Sequence, residues 1–382
     1  MIAVIADDFT GAAEIGGVGV RYGLKVLIET VVYEVSDVDL LVIATDTRSK
    51  EPQAASDEVE KIMSQLIRLK PEFIYKKIDS VLRGHVVSEL ETMIHLTGIT
   101  TAIIVAPNPL VGRTIINGVY FVDGLPLNET FFAGDPDFPV RSALVTDIIQ
   151  STTYPVRSIS LNDKWPDSGL LIANVADHRE LKEWSTRVSH EMIVAGGSGF
   201  FDALLETIYQ LKVLTPQIDL SFGVISLFIF GSLFPKSVTL LEKFDSTKMI
   251  RINMPESIYY ANGAYDTEME NWSAQVASQL NAGCSVMVTI DYLPGSEPGL
   301  SLRIRESIGQ LVAKVAGCFN LSDLFIEGGA TTSVVLKHMN ITKLTPFYEA
   351  DFGVIQMKAE GYPNLCITTK PGSYLWPQNV EF

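Results

Sequence analysis

Cysteine is scarce and scattered in this sequence: Cys284, Cys318 and Cys366 are three among 382 residues and never form a CxxC pair. An odd, dispersed set argues against a disulfide framework or a zinc ribbon, and fits a reducing cytoplasm. The five histidines (His85, His95, His178, His190 and His338) show no metal-ligand spacing. A GxxxxGK[ST] phosphate loop is absent, and Ser198 sits in Gly196-Gly197-Ser198-Gly199 rather than in the GxSxG elbow of a hydrolase. Cations are few as well: 29 Lys and Arg stand against 45 Asp and Glu, a formal charge of −16. Such an exterior repels nucleic-acid backbones and anionic membrane surfaces, so neither is expected as a partner. Long hydrophobic runs are missing too. The most apolar stretch, Phe222 to Phe234, falls short of the roughly 20 residues a spanning helix needs, and Gly223, Ser226, Gly231 and Ser232 interrupt it. It reads as a core strand and a loop. Met1 to Ala6 runs at once into Asp7-Asp8, without the basic start or apolar length of a signal peptide, and reads as a buried strand.

What is present is a well-packed globular composition, 47% hydrophobic and 19% charged. The length exceeds the roughly 250–300 residues at which single cores stop growing, so two domains are expected. Short apolar runs at 2–6, 39–44, 72–76, 102–106, 169–173, 192–195, 224–230, 285–290, 324–327 and 364–368 each end in a polar or glycine turn. Helical patterns lie between them at 11–22, 52–68, 86–97, 179–190, 200–213, 268–282, 301–319 and 331–339. This alternation predicts an α/β fold of two domains with mostly parallel sheets. Pro216 and the stretch Gly231 to Pro235 punctuate the chain, and the expected division is 1–230 and 231–382. Leu302, Ile304, Ile308, Leu311, Val312 and Val315 are read as one buried helical face. Gly16, Gly17, Gly19 and Gly23 are read as close helix packing, because a dinucleotide fingerprint belongs in the strand-to-helix turn, where Asp7 and Asp8 would repel phosphate.

In parallel sheets, ligands sit beyond the carboxyl ends of the strands, where helix N-termini point free N–H groups. The first such turn is Asp7-Asp8-Phe9-Thr10-Gly11. One carboxylate can cap the helix while the other binds a substrate hydroxyl, acts as a base or holds Mg²⁺. The second runs from Lys76 through Lys77, Asp79, Ser80, Arg83 and Gly84 to His85. Its cations suit a carboxylate, with Arg83 able to bind one by two parallel hydrogen bonds. The third holds Asn108 between two prolines and, beyond Gly112, Arg113, another anion-facing group. Glycine turns follow in the C-terminal half: Gly231-Ser232, Gly328-Gly329-Ala330-Thr331 and Lys370-Pro371-Gly372-Ser373. Backbone N–H groups can approach phosphate oxygens closely in such turns.

These blocks resemble the four-carbon acid sugar kinases: IADDFTGAAEIGG at 5–17, KKIDSVLRGH at 76–85, APNPLVGRT at 106–114, VAGGSGF at 194–200, FGS at 230–232, EGGATTSVVL at 327–336 and TTKPGS at 368–373. The resemblance implies an N-terminal domain for a sugar acid such as threonate, erythronate or 3-oxo-tetronate, and a C-terminal domain for ATP. It also implies an active site in the cleft between them. Asp7, Asp8, Lys76, Asp79, Ser80 and Arg83 would bind and activate the substrate, with Thr10, Lys77, Gly84, Asn108 and Arg113 in the same blocks. Ser232, Gly328, Gly329, Thr331, Gly372 and Ser373 would surround the nucleotide, with Lys370 beside them. The family usually reads GGDT where this chain has Ala330, and its last glycine loop differs at Pro371.

The expected chemistry is phosphoryl transfer from ATP with Mg²⁺. Lys76, Lys77 and Arg83 would hold the substrate carboxylate, and Asp8 or Asp7 would deprotonate its hydroxyl. A homodimer is allowed for. The rival reading is a non-catalytic sugar-acid sensor or partner protein derived from such a kinase.

Overall fold

The computed structural model describes residues 1–32, 37–135, 138–213, 225–231, 249–260, 265–290, 299–374 and 376–377. Its internal contacts divide the chain into two units, Met1–Leu214 and Thr215–Phe382.

The first unit begins with β1 (Ile2–Ala6), α1 (Phe9–Arg21), β2 (Val26–Glu29), β3 (Leu40–Ala44) and α2 (Pro52–Leu69). It continues with β4 (Phe73–Lys77), α3 (Val86–Thr97) and β5 (Thr101–Val105), then a small antiparallel sheet of β6 (Arg113–Ile116), β7 (Val119–Val122) and β8 (Leu125–Pro126). After α4 (Val145–Ile148) come β9 (Val156–Ile159), β10 (Gly169–Ala173), α5 (His178–Ser185), β11 (Ile193–Gly196) and α6 (Ser198–Thr207). The main strands pair in the order β2-β3-β1-β4-β11-β5-β10-β9, each described pairing parallel. β1 and β3 are apolar at every position and fully buried, as strands covered on both faces must be. Ala3, Ile5, Leu41 and Ile43 pack in one core with Val59, Ile62 and Leu66 of α2 and Leu90 and Met93 of α3. The chain leaves β1 and β4 in opposite senses along the sheet, so their helices take opposite faces, and α1 packs on α6. A Cβ on Gly19 of α1 would lie 2.6 Å from Leu40 Cδ2 and 2.8 Å from Val26 Cγ2. That glycine therefore serves close packing, as expected.

The second unit contains β12 (Ser226–Phe230), β13 (Met249–Asn253), α7 (Glu256–Tyr260), α8 (Tyr265–Asn281), β14 (Ser285–Thr289) and α9 (Leu300–Cys318). It ends with β15 (Asp323–Glu327), α10 (Gly329–His338), β16 (Lys343–Asp351), β17 (Val354–Ala359) and β18 (Tyr362–Lys370). The order is β13-β14-β12-β15-β18-β17-β16, with β17 antiparallel to both of its neighbours. β12 pairs on one side with β14 and on the other with β15, which makes it an interior strand of this unit.

Two helices stop earlier than their patterns predict, at Ser185 and Thr207. On α9, Ile304, Ile308, Leu311, Val312 and Val315 form the buried face, but Leu302 is 53% exposed. Two residues before Ile304, it is rotated about 200° away from that face. No helix among the described residues is long and apolar enough to cross a membrane.

Candidate active site

The turn after β1 divides its two carboxylates between different tasks. Asp8 takes extended backbone geometry at the N-cap of α1, and its Oδ1 accepts from Gly11 N at 2.8 Å. Its Oδ2 accepts from Thr10 Oγ1 at 2.7 Å and from Arg48 Nη1 at 3.2 Å. Asp7 faces the same guanidinium, which approaches its Oδ2 through Nε at 2.9 Å and Nη2 at 2.8 Å. The other oxygen of Asp7, Oδ1, is buried and has no hydrogen-bond partner among the described residues. Burial pushes the Asp7 carboxyl above the ordinary value of 3.8, against the pull of Arg48, and the adjacent Asp8 charge adds to the push. Asp8 is buried as well, but Arg48, Lys77, Thr10 and the Gly11 amide outweigh that burial and hold it below the ordinary value. One of the pair is thus a fixed anion, while the other keeps one oxygen without a partner among the described residues.

Arg48 binds both and was not singled out by the sequence. It lies in the polar turn after β3, and β3 pairs directly with β1. Its Nη1 also approaches Asp79 Oδ1 at 3.6 Å. From Asp79 the chain of opposite charges continues: Arg83 grips that carboxylate through Nε and Nη2, both at 2.9 Å, and reaches Asp135 at 2.6 Å with Nη1. Burial opposes the charge on Asp79, yet Arg83 and Arg48 bring its pKa well below the carboxylate range. Arg83 and Arg113 both lie over the Phe132 ring, at 5.0 and 5.9 Å from its centre. Arg113 also bonds Ser80 Oγ, and the Tyr120 hydroxyl bonds Ser80 O.

The lysines of β4 are committed inside the fold. Lys76 is fully buried against Glu89 of α3, Nζ to Oε2 at 2.8 Å. Lys77 donates to Ile78 O at 2.9 Å and lies 3.8 Å from Glu14. A Cβ on Gly11 would lie 2.7 Å from Asp8 Oδ1 and 3.0 Å from Lys77 Nζ, so only glycine fits between these two groups. The expected positive patch is therefore a balanced lattice: Lys76, Lys77, Arg48 and Arg83 each face carboxylates of the chain itself. Gly84 (φ +89) lets the backbone approach Arg48 and Asp7. Asn108, after β5, caps the following turn by accepting from Leu110 N at 3.1 Å. A pocket of about 320 Å³ among Leu82, His85, Glu91 and Ile148 shares only Gly84 with the predicted residues.

In the second unit, Gly328 (φ +100) precedes α10 and supplies no side-chain cap. Thr332 N returns to Gly328 O at 3.0 Å, and Thr332 Oγ1 also bonds Gly328 O. The N–H groups of Gly329, Ala330 and Thr331 meet no acceptor among the described residues. A Cβ on Gly231 would lie 2.5 Å from Thr331 Oγ1, so the end of β12 needs glycine to sit beside α10. Lys370 does not face this opening. Its ammonium is buried against Glu327 at 2.8 Å and donates to Pro371 O and Tyr374 O, while Trp376 Nε1 also donates to Glu327. Gly372 and Ser373 follow in the turn that Tyr374 N closes on Pro371 O, and Ser232 lies outside the described residues.

Residues 2–204 match the model of a sugar-binding N-terminal domain, and residues 227–374 that of a nucleotide-binding C-terminal domain. The chain belongs to the four-carbon acid sugar kinase family. Among its curated relatives are a D-threonate kinase of Salmonella typhimurium, 34% identical over 164 residues, and a D-erythronate kinase of Heliobacterium modesticaldum, 34% identical over 154. These alignments cover 42% and 39% of this chain but only 39% and 35% of the relatives, well under two thirds of their length. A 3-oxo-tetronate kinase of Actinobacillus succinogenes aligns more fully, at 24% identity over 90% of this chain and 89% of its own. Crystal structures extend the likeness to the fold. One from Haemophilus influenzae superposes with a TM-score of 0.69 at 21% identity over 97% of this chain and 96% of its own. Another, of a protein described as a tRNA synthase from Salmonella typhimurium LT2, gives 0.78 at 18% identity over 98% and 96%, a likeness of fold alone.

Proposed function

We propose that this chain is an ATP-dependent kinase that phosphorylates a hydroxyl of a four-carbon sugar acid. The observation that carries the reading is Asp7: a buried carboxylate at the carboxyl end of β1, with one oxygen held by Arg48, the other unpartnered among the described residues, and a raised pKa. A substrate hydroxyl donating to that free oxygen would pass its proton there as it attacks the terminal phosphorus, the role a catalytic-loop aspartate plays in protein kinases. Asp8 positions rather than reacts, since α1 and Arg48 occupy both of its oxygens.

The second unit fits a nucleotide. The bare amides of Gly329, Ala330 and Thr331 and the glycine at 231 leave room and donors for phosphate oxygens. Gly372 and Ser373 stand in the turn after β18, on the same carboxyl edge. Mg²⁺ would neutralise phosphate charge when bound. Among the described residues no cluster of three or more metal-ligating side chains exists, so the ion would arrive on the phosphates and keep most of its waters.

The test is to incubate the protein with ATP, Mg²⁺ and each four-carbon sugar acid, and to read the product by mass spectrometry. A phosphorylated acid is expected. Asp7→Asn should lower turnover by about 10²–10⁴-fold, while sugar-acid binding persists. An acid whose folded pKa is raised contributes most stability at low pH and loses it as pH rises through the folded value. Removing the Asp7 charge should therefore leave the melting temperature at pH 7 unchanged or higher. The wild-type rate should fall on the acid side at a pH above that of an ordinary aspartate. Wild-type turnover in Asp7→Asn would remove the base assignment.

A further inference from the structure

The first N–H groups of α6 have no partner among the described residues. The N-cap is Gly197, which has no side chain to offer, and the first amide to find an acceptor is Phe201 N, bonded to Gly197 O at 3.2 Å. Among the described residues nothing accepts from Ser198 N, Gly199 N or Phe200 N. These amides are not in open solvent, for Ser198 is 5% and Phe200 0% exposed. Buried donors left unpaired are rare, and a helix end buried in this way normally meets a side chain or a ligand.

A second donor points at the same place. Asn108 is 3% exposed; its Oδ1 is taken by Leu110 N, and its Nδ2 has no partner among the described residues. A Cβ on Gly199 would lie 2.7 Å from that Nδ2, so the carboxamide rests against the first turn of α6 with nothing larger than hydrogen between them. Unpaired amides and an unpaired carboxamide donor converge, and no acceptor among the described residues meets them. The cations of the neighbouring turns are already matched: Lys76 by Glu89, Arg48 by Asp7 and Asp8, Arg83 by Asp79 and Asp135.

The position relates to the carboxylate pair through β4. Lys77 is level with Gly196 in the sheet, and Ile78 N bonds Gly196 O at 3.1 Å. β4 alone separates β11 from β1, so the ends of those strands stand two spacings apart, about 10 Å. A four-carbon acid with a hydrogen bond at each end is of that scale.

We propose that the N-terminus of α6 and Asn108 Nδ2 form the subsite for the substrate's carboxylate, and that this subsite selects a sugar acid over the matching neutral polyol. The helix supplies its dipole and two or three N–H groups, Asn108 a further donor, and no cation is needed. The assignment rests on the kinase reading for the identity of the other end of the ligand.

Calorimetry with D-erythronate, D-threonate and the neutral tetritol erythritol, without nucleotide, tests it. Asn108→Asp keeps the acceptor for Leu110 N and places a second acid beside the bare amides. Affinity for the acids should fall by about a hundredfold, erythritol binding should change little, and the melting temperature should hold or rise because the new carboxylate caps α6. Ser198→Pro is the second variant. Gly197 has φ −78° and ψ 174°, which suits a following proline, and proline is tolerated at the first helical position, so this change removes one N–H while sparing the helix. About a tenfold loss for the acids alone is expected. Unchanged acid affinity in both variants, equal losses for acid and polyol, or loss of acid preference in Lys77→Met but in neither of them would each overturn the subsite. If the wild type binds the acids in this pattern but makes no phosphorylated product with ATP, the kinase reading fails and the subsite stands. If product forms while Asn108→Asp and Ser198→Pro bind normally, the reverse holds.

Discussion

At the carboxyl ends of its strands the N-terminal unit carries charge on side chains, whereas the C-terminal unit presents backbone. Asp7, Asp8, Arg48, Asp79 and Arg83 form one run of alternating sign in the first. In the second, the strand-end charges Glu327 and Lys370 neutralise each other inside the fold, and Gly231, Gly328 and Gly329 are left at the opening. A side-chain lattice depends on the identity of its cations, because removing one leaves buried carboxylates unpaired. A backbone site depends mainly on shape, and it tolerates substitutions such as Ala330 provided the amides stay free.

The largest effect is therefore expected from Arg48→Met. It strips the shared cation from Asp7, Asp8 and Asp79, and a loss of about 3–5 kcal/mol in denaturant unfolding should follow, together with loss of sugar-acid binding. The pH dependence should change in a defined sense. Asp8 and Asp79 have folded values below 3.8, so they stabilise the protein above that pH and lose the contribution as pH falls through their folded values. Without Arg48, Asp8 loses the larger of its two cations and Asp79 keeps only Arg83, so the acid-side fall in stability should shrink, chiefly through Asp8. Nucleotide affinity should survive in whatever fraction remains folded. If it vanished as well, the comparison between the two units would break.

How the sequence announces these features depends on where their partners come from. Asp7 and Asp8 were legible because strand, turn and cap are contiguous, and the cap geometry follows from residues 8 to 11. The parallel alternation was legible for the same reason, through buried runs such as 169–173. Arg48 was not, although the rule that found Lys76 to Arg83 applies to it: a cation in a polar turn just after an apolar strand. Glu89 left a trace as well, an acid on the same helical stripe as Val86, Leu90 and Met93. Both are revealed as partners only when the sheet order brings β3 beside β1 and when α3 packs over β4. The strands β2, β9, β13, β16 and β17 and the small sheet at 113–126 were missed, since short or half-exposed strands lack the buried run that flags a central one, and in β17 the polar Gln356 and Lys358 interrupt it. The helix that ends at Thr207 rather than 213 shows the same limit, because no glycine or proline marks its stop.

Gly231→Ala sharpens the comparison from the other side. The added methyl would meet Thr331 Oγ1 at 2.5 Å and Cγ2 at 3.1 Å, forcing β12 and the first turn of α10 apart. Nucleotide affinity should weaken by about tenfold, near 1.4 kcal/mol, with sugar-acid affinity untouched. Equal weakening of both ligands would mean that shape in the second unit reaches the first.

The smallest effect, and the most discriminating, is expected from Ala330→Asp, which restores the acid the family usually carries at this position. Ala330 is the second residue of α10, where an acid interacts favourably with the helix dipole by about 0.3–1 kcal/mol. The melting temperature should therefore rise slightly. If bare amides are what hold the phosphates, the same carboxylate competes with them, and nucleotide affinity measured without Mg²⁺ should drop by roughly the factor of two to five that this energy allows. With Mg²⁺ present the loss should narrow, because the ion screens one charge from the other. A variant that instead binds nucleotide more tightly, and only with Mg²⁺, would show that a side-chain ligand for the metal can be accommodated here. The C-terminal unit would then differ from the N-terminal one by a lost residue rather than by a different kind of site.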